Sequence, residues 1–253
     1  MLARRIIPCL DIRDGVTVKG TNFLGLRSVG DPVEMAAEYA GEGADELVCL
    51  DISATLEGRE TFASLVERIA GTIDIPFTVG GGIASAEDAG RLLLAGADKV
   101  SVNSAAVRRP QLIDEIASRY GSQFVVVAID ARRIGDRWVV TTHSGSRTTD
   151  RELFSWAMEA EERGAGEILF TSMDNDGTGK GYPCGTFAAL SEMLDIPVIA
   201  SGGAGSVEDI AEVLTAGKAD AALAASIFHY GKVSIPQLKA ALASAGIPVR
   251  PAP

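Results

Sequence analysis

One short motif occurs twice in this chain, 121 residues apart. It reads GGIASAED at 81–88 and GGAGSVED at 202–209, and each copy follows a short apolar run and begins a helical pattern. Backbone N–H groups at such a glycine turn can bind a phosphate, and the positive end of the following helix assists them. The chain is therefore expected to consist of two related halves, each with a phosphate site. A substrate that carries a phosphate at both ends would suit this arrangement.

Eight short apolar runs alternate with helical patterns along the chain. The runs cover residues 5–11, 46–52, 77–80, 99–103, 124–130, 167–172, 198–201 and 221–225. Most are too apolar to leave one face in water, which is typical of parallel strands covered on both sides. Eight strand-then-helix units predict a single (β/α)₈ barrel over residues 1–253, with half-barrels at about 1–120 and 121–253. A doubly wound open sheet is the alternative, but it does not explain the repeated halves.

Capping residues mark the helix boundaries between these runs. Asp31 precedes a proline, which predicts an N-cap and a first helical turn. Ser85 and Ser206 begin capping-box patterns, whereas Gly96 and Gly217 stand where helices are expected to end. Further helices are predicted at about 60–72, 108–120, 151–164, 184–194 and 234–245.

Composition excludes several classes of function. The 34 acidic and 23 basic residues give a formal net charge of −11, which argues against nucleic acid or an anionic membrane as a partner. No apolar stretch approaches membrane-spanning length, and no signal peptide is visible. Three sparse cysteines without CxxC spacing indicate reduced thiols and a cytoplasmic protein. No cofactor or metal is predicted, since His143 and His229 lack metal-ligand spacing and there is no GxGxxG motif.

Two aspartates end equivalent strands of the two halves. In a (β/α)₈ barrel the catalytic groups lie at the C-terminal ends of strands, and Asp11 and Asp130 are predicted there. Partial desolvation tends to raise the pKa of such a carboxyl into a range useful for acid–base catalysis. Either could instead cap a turn, but a symmetric pair at one barrel mouth favours catalysis. Lys19 lies in a long first loop, which predicts either a lid that carries a cation to the substrate or a solvated surface lysine.

Matching elements of the two halves predict the phosphate sites. The candidate residues are Gly82, Asn103 and Ser104 in the first half and Gly203, Ala225 and Ser226 in the second. Asp176 and Gly177 follow the sixth strand and are included among the predicted substrate-binding residues.

Several motifs closely resemble those of one family. They are IPCLD at 7–11, VKGTNF at 18–23, TVGGGI at 78–83, DKVSVN at 98–103, AID at 128–130, ASGGAG at 200–205 and LAASIFH at 223–229. The chain is similar, from the first strand to the last helix, to the cyclase subunit of imidazole glycerol phosphate synthase in histidine biosynthesis. The resemblance implies a barrel that takes ammonia and a bisphosphorylated formimino-aminoimidazole-carboxamide ribonucleotide with a ribulosyl arm. The products would be imidazole glycerol phosphate and aminoimidazole carboxamide ribonucleotide.

The resemblance also implies roles for individual residues. Asp11 and Asp130 would be the acid–base pair, and Lys19 would belong to a mobile loop that closes on the substrate. Ammonia would come from a separate glutaminase subunit docked on the N-terminal face of the barrel, near Asp98. Four charged residues at that end would form an ammonia gate: Arg5, Glu46, Lys99 and Glu167. A salt-bridge cluster that only stabilises the barrel is the alternative for these four.

Two features depart from the family pattern, and three other functions remain open. The segment 179–185 is unusual, and Lys218 is an insertion that is expected to be absorbed in a turn. The sister isomerase of the pathway shares the barrel and the paired aspartates but uses no ammonia or glutaminase. A catalytically inactive barrel that only binds a partner or a phosphometabolite is the second alternative. An aldolase is disfavoured because Lys99 falls at the start of its strand.

Overall fold

The computed structural model describes residues 2–21, 24–52 and 56–253. Its strands are β1 (Arg5–Arg13), β2 (Val16–Thr21), β3 (Leu24–Gly30), β4 (Leu47–Asp51), β5 (Phe77–Gly80), β6 (Lys99–Val102), β7 (Val125–Ile134), β8 (Arg137–Thr142), β9 (Arg147–Glu152), β10 (Glu167–Ser172), β11 (Val198–Ser201) and β12 (Ala221–Ala224). Its α-helices are α1 (Pro32–Gly41), α2 (Leu56–Ala70), α3 (Ala86–Leu94), α4 (Ser104–Arg108), α5 (Gln111–Tyr120), α6 (Leu153–Glu162), α7 (Cys184–Met193), α8 (Val207–Thr215), α9 (Ser226–His229) and α10 (Ile235–Ser244). A short 3₁₀ helix, Ser122–Phe124, precedes β7.

Eight of these strands form a closed ring of parallel pairs. The order is β10-β11-β12-β1-β4-β5-β6-β7, and β7 pairs with β10 to close the ring. Helices connect successive ring strands, as parallel pairing requires. The prediction of a (β/α)₈ barrel is confirmed, and ring closure excludes the open doubly wound sheet.

Each half also contains a hairpin that the sequence analysis missed. The hairpins β2–β3 and β8–β9 continue antiparallel from the ends of β1 and β7. Asp14 and Gly15 both have positive φ, of 52° and 78°, and Gly135 has a φ of 61°. Such residues between β-branched runs are the signal of a tight hairpin turn. The long first loop is therefore a strand pair. Asp11 and Asp130 lie inside extended strands, where parallel pairing gives way to antiparallel pairing.

The three predicted N-caps are confirmed, but one predicted helix is wrong. Asp31, Ser85 and Ser206 each accept backbone N–H groups of the following turn as N-caps. The predicted helix at 108–120 is two helices, α4 and α5, because Pro110 disfavours helical backbone at Arg109, whose φ is −139° and ψ 84°.

The extra residue of the second half lies in the turn after α8, as expected. In the first half the N–H of Ala97 donates to Leu92 O, and the equivalent bond from Ala219 to Val213 O spans one residue more. Lys218 takes the left-handed φ of 56°. The turn therefore absorbs the insertion, and β12 keeps its register with β1.

The alternation of side chains along the strands separates two apolar layers. Residues that point into the barrel form a small interior cluster: Ile7, Cys9, Val48, Val126, Ala128, Leu169, Ile199, Ala221 and Leu223. Their neighbours in sequence point outward and pack against the helices in the larger cluster. Because the period along a strand is two, polar residues two positions before or after an interior residue also face the barrel axis.

A buried ion pair attaches the last helix to the start of the barrel. Lys239 of α10 and Asp45, just before β4, lie 2.9 Å apart, and each side chain is only 2% exposed. The other Asp45 oxygen accepts the N–H of Ile6 in β1 at 2.8 Å. One carboxylate therefore connects two neighbouring strands and the C-terminal helix.

We expect Lys239→Met to destabilise the fold, because it leaves the buried Asp45 carboxylate without its cation. The free energy of unfolding, measured by urea titration, should fall by about 3 kcal/mol. Lys218→Met is the control, because its ion pair with Glu192 has side chains 53% and 61% exposed, and its removal should cost less than about 1 kcal/mol. Equal losses in the two variants would contradict the role given to the buried pair.

Candidate active site

A cavity of about 490 Å³ opens at the C-terminal ends of the ring strands. We call it the C-terminal cavity. All the predicted catalytic and substrate-binding residues line it: Asp11, Lys19, Gly82, Asn103, Ser104, Asp130, Asp176, Gly177, Gly203, Ala225 and Ser226. The closed ring brings them together from both halves of the chain.

Asp11 and Lys19 form an ion pair inside this cavity. Lys19 Nζ donates to Asp11 Oδ2 at 2.7 Å, and the two side chains are 11% and 4% exposed. Burial by itself would lower the pKa of Lys19, but the Asp11 carboxylate outweighs it and raises that pKa. The Cys9 thiol donates to the other Asp11 oxygen at 3.8 Å. The last two residues of the Lys19 motif, Asn22 and Phe23, lie outside the described residues.

Asp130 lies in a different electrostatic environment. Burial raises its pKa to about 6, although hydrogen bonds from Asn103 and Thr171 oppose the shift and the nearby Asp176 adds to it. Asn103 Nδ2 donates to Asp130 Oδ2 at 2.9 Å. The hydrogen-bond donors to Asp130, Asn103 and Thr171, are therefore neutral, whereas Asp11 is paired with the Lys19 ammonium. Near neutral pH, Asp130 can carry or release a proton.

The two glycine turns share a backbone conformation that needs glycine. Gly81 has a φ of 108°, and a Cβ on it would lie 2.2 Å from the carbonyl oxygen of Asp51. Gly202 has a φ of 84°, and a Cβ on it would lie 2.6 Å from the carbonyl oxygen of Ser172. These two oxygens occupy equivalent positions at the ends of β4 and β10. The next glycine of the second turn, Gly203, has a φ of 129°. Because the backbone of each turn lies so close to the neighbouring carbonyl oxygen, a residue with a side chain cannot replace the glycine there.

The segments that follow the fourth and eighth ring strands also match. Asn103 has φ −130° and ψ −101°, and Ala225 has φ −128° and ψ −73°, and each immediately precedes a serine that begins a short helix. In the first half, Ser104 Oγ accepts the N–H of His143, at the end of the β8–β9 hairpin, at 3.2 Å. The Ser104 hydroxyl proton therefore remains available to donate to a ligand.

The unusual segment 179–185 packs against the second glycine turn. The N–H of Gly181 donates to Gly203 O at 2.9 Å, and a Cβ on Gly203 or Gly205 would lie within 2.3 Å of a carbonyl oxygen of this segment. Its last two residues, Cys184 and Gly185, are the first two of α7. The segment therefore supports the second turn.

Four charged residues form a closed ring at the opposite, N-terminal end of the barrel. Arg5 lies 2.9 Å from Glu46 and 3.0 Å from Glu167, and Lys99 lies 2.9 Å from Glu46 and 3.1 Å from Glu167. We call these four residues the charged ring. Glu46 is 1% exposed, and its other oxygen accepts the Thr78 hydroxyl at 2.6 Å. Each charge is balanced by two opposite charges, which offsets the desolvation of the group.

Asp98 is exposed at the same end, where its Oδ2 accepts the N–H of Phe77 at 2.8 Å. It thus lies at the face to which the sequence analysis assigned it and also caps the start of β5.

Thr171 and His143 line the cavity but were missed from the sequence. Thr171 could have been found by strand periodicity, because it lies two residues beyond the interior Leu169 and four beyond Glu167. His143 depends on the hairpin, which was itself missed.

His229 lies close enough to the Asp11–Lys19 pair for both charges to act on its pKa. Burial, with the Lys19 charge as a further cause, lowers its pKa to about 4, and Tyr39 Oη is 2.7 Å from its Nδ1. The imidazole is therefore uncharged near neutral pH. Within the described residues, no group of three or more His, Cys, Asp or Glu side chains is arranged to hold a metal ion.

The closed ring and the polar cavity at its C-terminal mouth define a (β/α)₈-barrel enzyme. The sequence profile of the family described as "Histidine biosynthesis protein" matches residues 5–234. The chain belongs to this family.

Curated relatives narrow the family further. "Imidazole glycerol phosphate synthase subunit HisF" of Bacteroides fragilis is 60% identical over 250 residues, covering 99% of this chain and 100% of the relative. Proteins of the same name from Bacteroides thetaiotaomicron and Flavobacterium johnsoniae are each 58% identical with the same coverage. The resemblance to the cyclase subunit of imidazole glycerol phosphate synthase is confirmed.

We expect Asp130→Asn to stabilise the protein at pH 8 but not at pH 4. The folded state holds the proton up to a pKa of about 6, whereas the ordinary value is 3.8. Between these two pKa values the folded state binds more protons than the unfolded state. The free energy of unfolding therefore falls as the pH rises from about 4 to about 6. The neutral amide avoids this cost, which is roughly 2–3 kcal/mol above pH 6.

Urea unfolding of both proteins at the two pH values measures this difference. Asp136→Asn, at an exposed hairpin position, is the control and should show no such dependence. If Asp130→Asn increased the free energy of unfolding by the same amount at pH 4 and at pH 8, the raised pKa of Asp130 would be contradicted.

Proposed function

We propose that this chain is the cyclase subunit of an imidazole glycerol phosphate synthase in histidine biosynthesis. It uses ammonia to convert the bisphosphorylated phosphoribulosyl-formimino-aminoimidazole carboxamide ribonucleotide to imidazole glycerol phosphate and aminoimidazole carboxamide ribonucleotide. The observation that carries this proposal is the pair of buried carboxylates, Asp11 and Asp130, in one cavity between two glycine turns. The full-length identity to HisF subunits supports it.

The two carboxylates suit opposite proton transfers. The reaction adds ammonia, cleaves a carbon–nitrogen bond and closes the imidazole ring, and each step needs a proton moved to or from the ligand. We assign Asp11 the role of base, because the Lys19 ammonium lies 2.7 Å from one of its carboxylate oxygens. Asp130, with a pKa of about 6, supplies and recovers the proton near neutral pH.

The glycine turns hold the two phosphate ends of the substrate. Their N–H groups, with the Ser104 and Ser226 hydroxyls, are donors that a phosphate can accept from. Asp176 and Gly177 line the same cavity. Lys19 is paired with Asp11 in the present state, and binding of substrate offers its ammonium a second partner.

Ammonia enters through the barrel from a glutaminase subunit bound at the N-terminal face. The charged ring surrounds the barrel axis there, directly below the interior cluster, and its salt bridges restrict what passes. Leu2 and Leu94 are 90% and 89% exposed, and both lie beside strand starts at this face, where a partner would cover them. Asp98 lies on the same face. The heterodimer would then deliver ammonia without release to solvent.

The cellular location proposed is the cytoplasm. All three cysteines are free, and Cys9 and Cys49 are buried, which suits a reducing compartment. No helix among the described residues has the length and apolar character needed to cross a membrane.

The experiment is an absorbance assay of the purified chain with the ribulosyl bisphosphate substrate and a high ammonium concentration at alkaline pH, without any partner. We expect the substrate absorbance to decrease only when ammonium is present. Asp11→Asn should lower turnover by at least about 100-fold, because a positioned acid or base contributes about that much. Asp14→Asn is the matched control, since Asp14 is 79% exposed on the nearby hairpin.

Two results would contradict the cyclase. Conversion of the preceding ribosyl isomer to the ribulosyl form without ammonium would indicate the sister isomerase. Inertness toward both substrates would indicate a barrel that only binds phosphometabolites.

A further inference from the structure

The C-terminal cavity has an excess of acidic side chains. Four aspartates line it, namely Asp11, Asp51, Asp130 and Asp176. Lys19 also lines it, but Asp11 holds its ammonium at 2.7 Å. A ligand with two phosphate groups would bring about three to four further negative charges. Positive charge beyond that of Lys19 would therefore strengthen the binding that the backbone N–H groups of the glycine turns provide.

Two other basic residues line the same cavity, Arg108 and Lys232. Arg108 ends α4, which follows β6, and Lys232 lies just beyond α9, which follows β12. In the closed ring of eight strands, β6 and β12 are four positions apart. The two cations therefore lie at opposite edges of the mouth, one beyond each of the segments that contain Ser104 and Ser226.

The neighbouring Arg109 provides a contrast. It forms an ion pair with Glu115 and donates to Ala84 O, and it does not line the cavity. In the part of the chain that the structure describes, no ion pair involves Arg108 or Lys232. Both side chains are exposed, so they can reach a ligand without first breaking an internal contact.

We propose that Arg108 and Lys232 are substrate-binding residues, each of which contacts one phosphate of the bisphosphate. This inference rests on the proposed function, which supplies the doubly phosphorylated substrate. A guanidinium binds phosphate through two parallel hydrogen bonds, whereas an ammonium acts as a point charge. The two ends of an otherwise symmetric cavity thus differ, and the difference helps to select which phosphate enters which half.

Steady-state kinetics of Arg108→Gln, Lys232→Gln and the double variant test the proposal. We expect KM for the bisphosphate to rise about fivefold in each single variant, since exposed ion pairs contribute modestly. The double variant should show about a 25-fold rise, because distant sites are additive. Changes in kcat should be small, Arg108→Lys should be intermediate, and Arg109→Gln should match the wild type. The differences should shrink at about 1 M salt, where screening is strong.

If the wild type turns over substrate, and KM in Arg108→Gln and in Lys232→Gln equals KM in the control Arg109→Gln, the inference is wrong. Titration with inorganic phosphate, followed by phosphorus NMR, tests the same residues without catalysis. We expect each single variant to weaken phosphate binding about fivefold at one of the two sites and to leave binding at the other site unchanged. If the wild type shows no cyclase activity, the proposed function fails, and this titration still decides the binding role. Equal phosphate affinity in all variants would overturn it.

Discussion

The parallel pairing of β7 with β10 is the constraint on which the rest of the structure depends. It closes the ring, so that strand ends from residues more than 100 positions apart surround one axis. Without closure, Asp11 and Asp130 would lie on separate parts of an open sheet. With it, one end of the axis holds the charged ring and the other holds the cavity. Closure therefore creates the cavity and the charged ring in one step.

Side-chain alternation explains how much of the site could be predicted from sequence. Arg5 and Asp11 are an even number of positions apart on β1, and so are Glu167 and Thr171 on β10. Both side chains of each pair therefore face the barrel axis, one in the charged ring at the N-terminal end and one in the cavity at the C-terminal end. The glycine turns and strand ends follow from local sequence signals. The buried pair of Lys239 and Asp45 could not be predicted, because it joins elements that meet only after closure. The hairpins were missed although Asp14-Gly15 is a local turn signal.

The repeat gives the barrel symmetry, and local partners make the two halves chemically different. Asp11 and Asp130 occupy equivalent strand positions, but an ammonium at 2.7 Å holds the first and a neutral amide at 2.9 Å holds the second. Burial then raises the pKa of Asp130 to about 6. A symmetric scaffold can in this way provide a base on one side of a ligand and an acid on the other. The segment 179–185 adds a further difference by supporting only the second turn.

The most direct test of this account is carbon NMR of protein labelled at the aspartate carboxyl carbons, titrated between pH 3 and pH 8. We expect one carboxyl to titrate with a midpoint near 6, the value at which burial places Asp130. That signal should disappear in Asp130→Asn and persist in Asp174→Asn. If the signal removed by Asp130→Asn titrates near the ordinary value of about 3.9 instead, the two carboxylates are not differentiated. The division of acid and base roles would then be wrong.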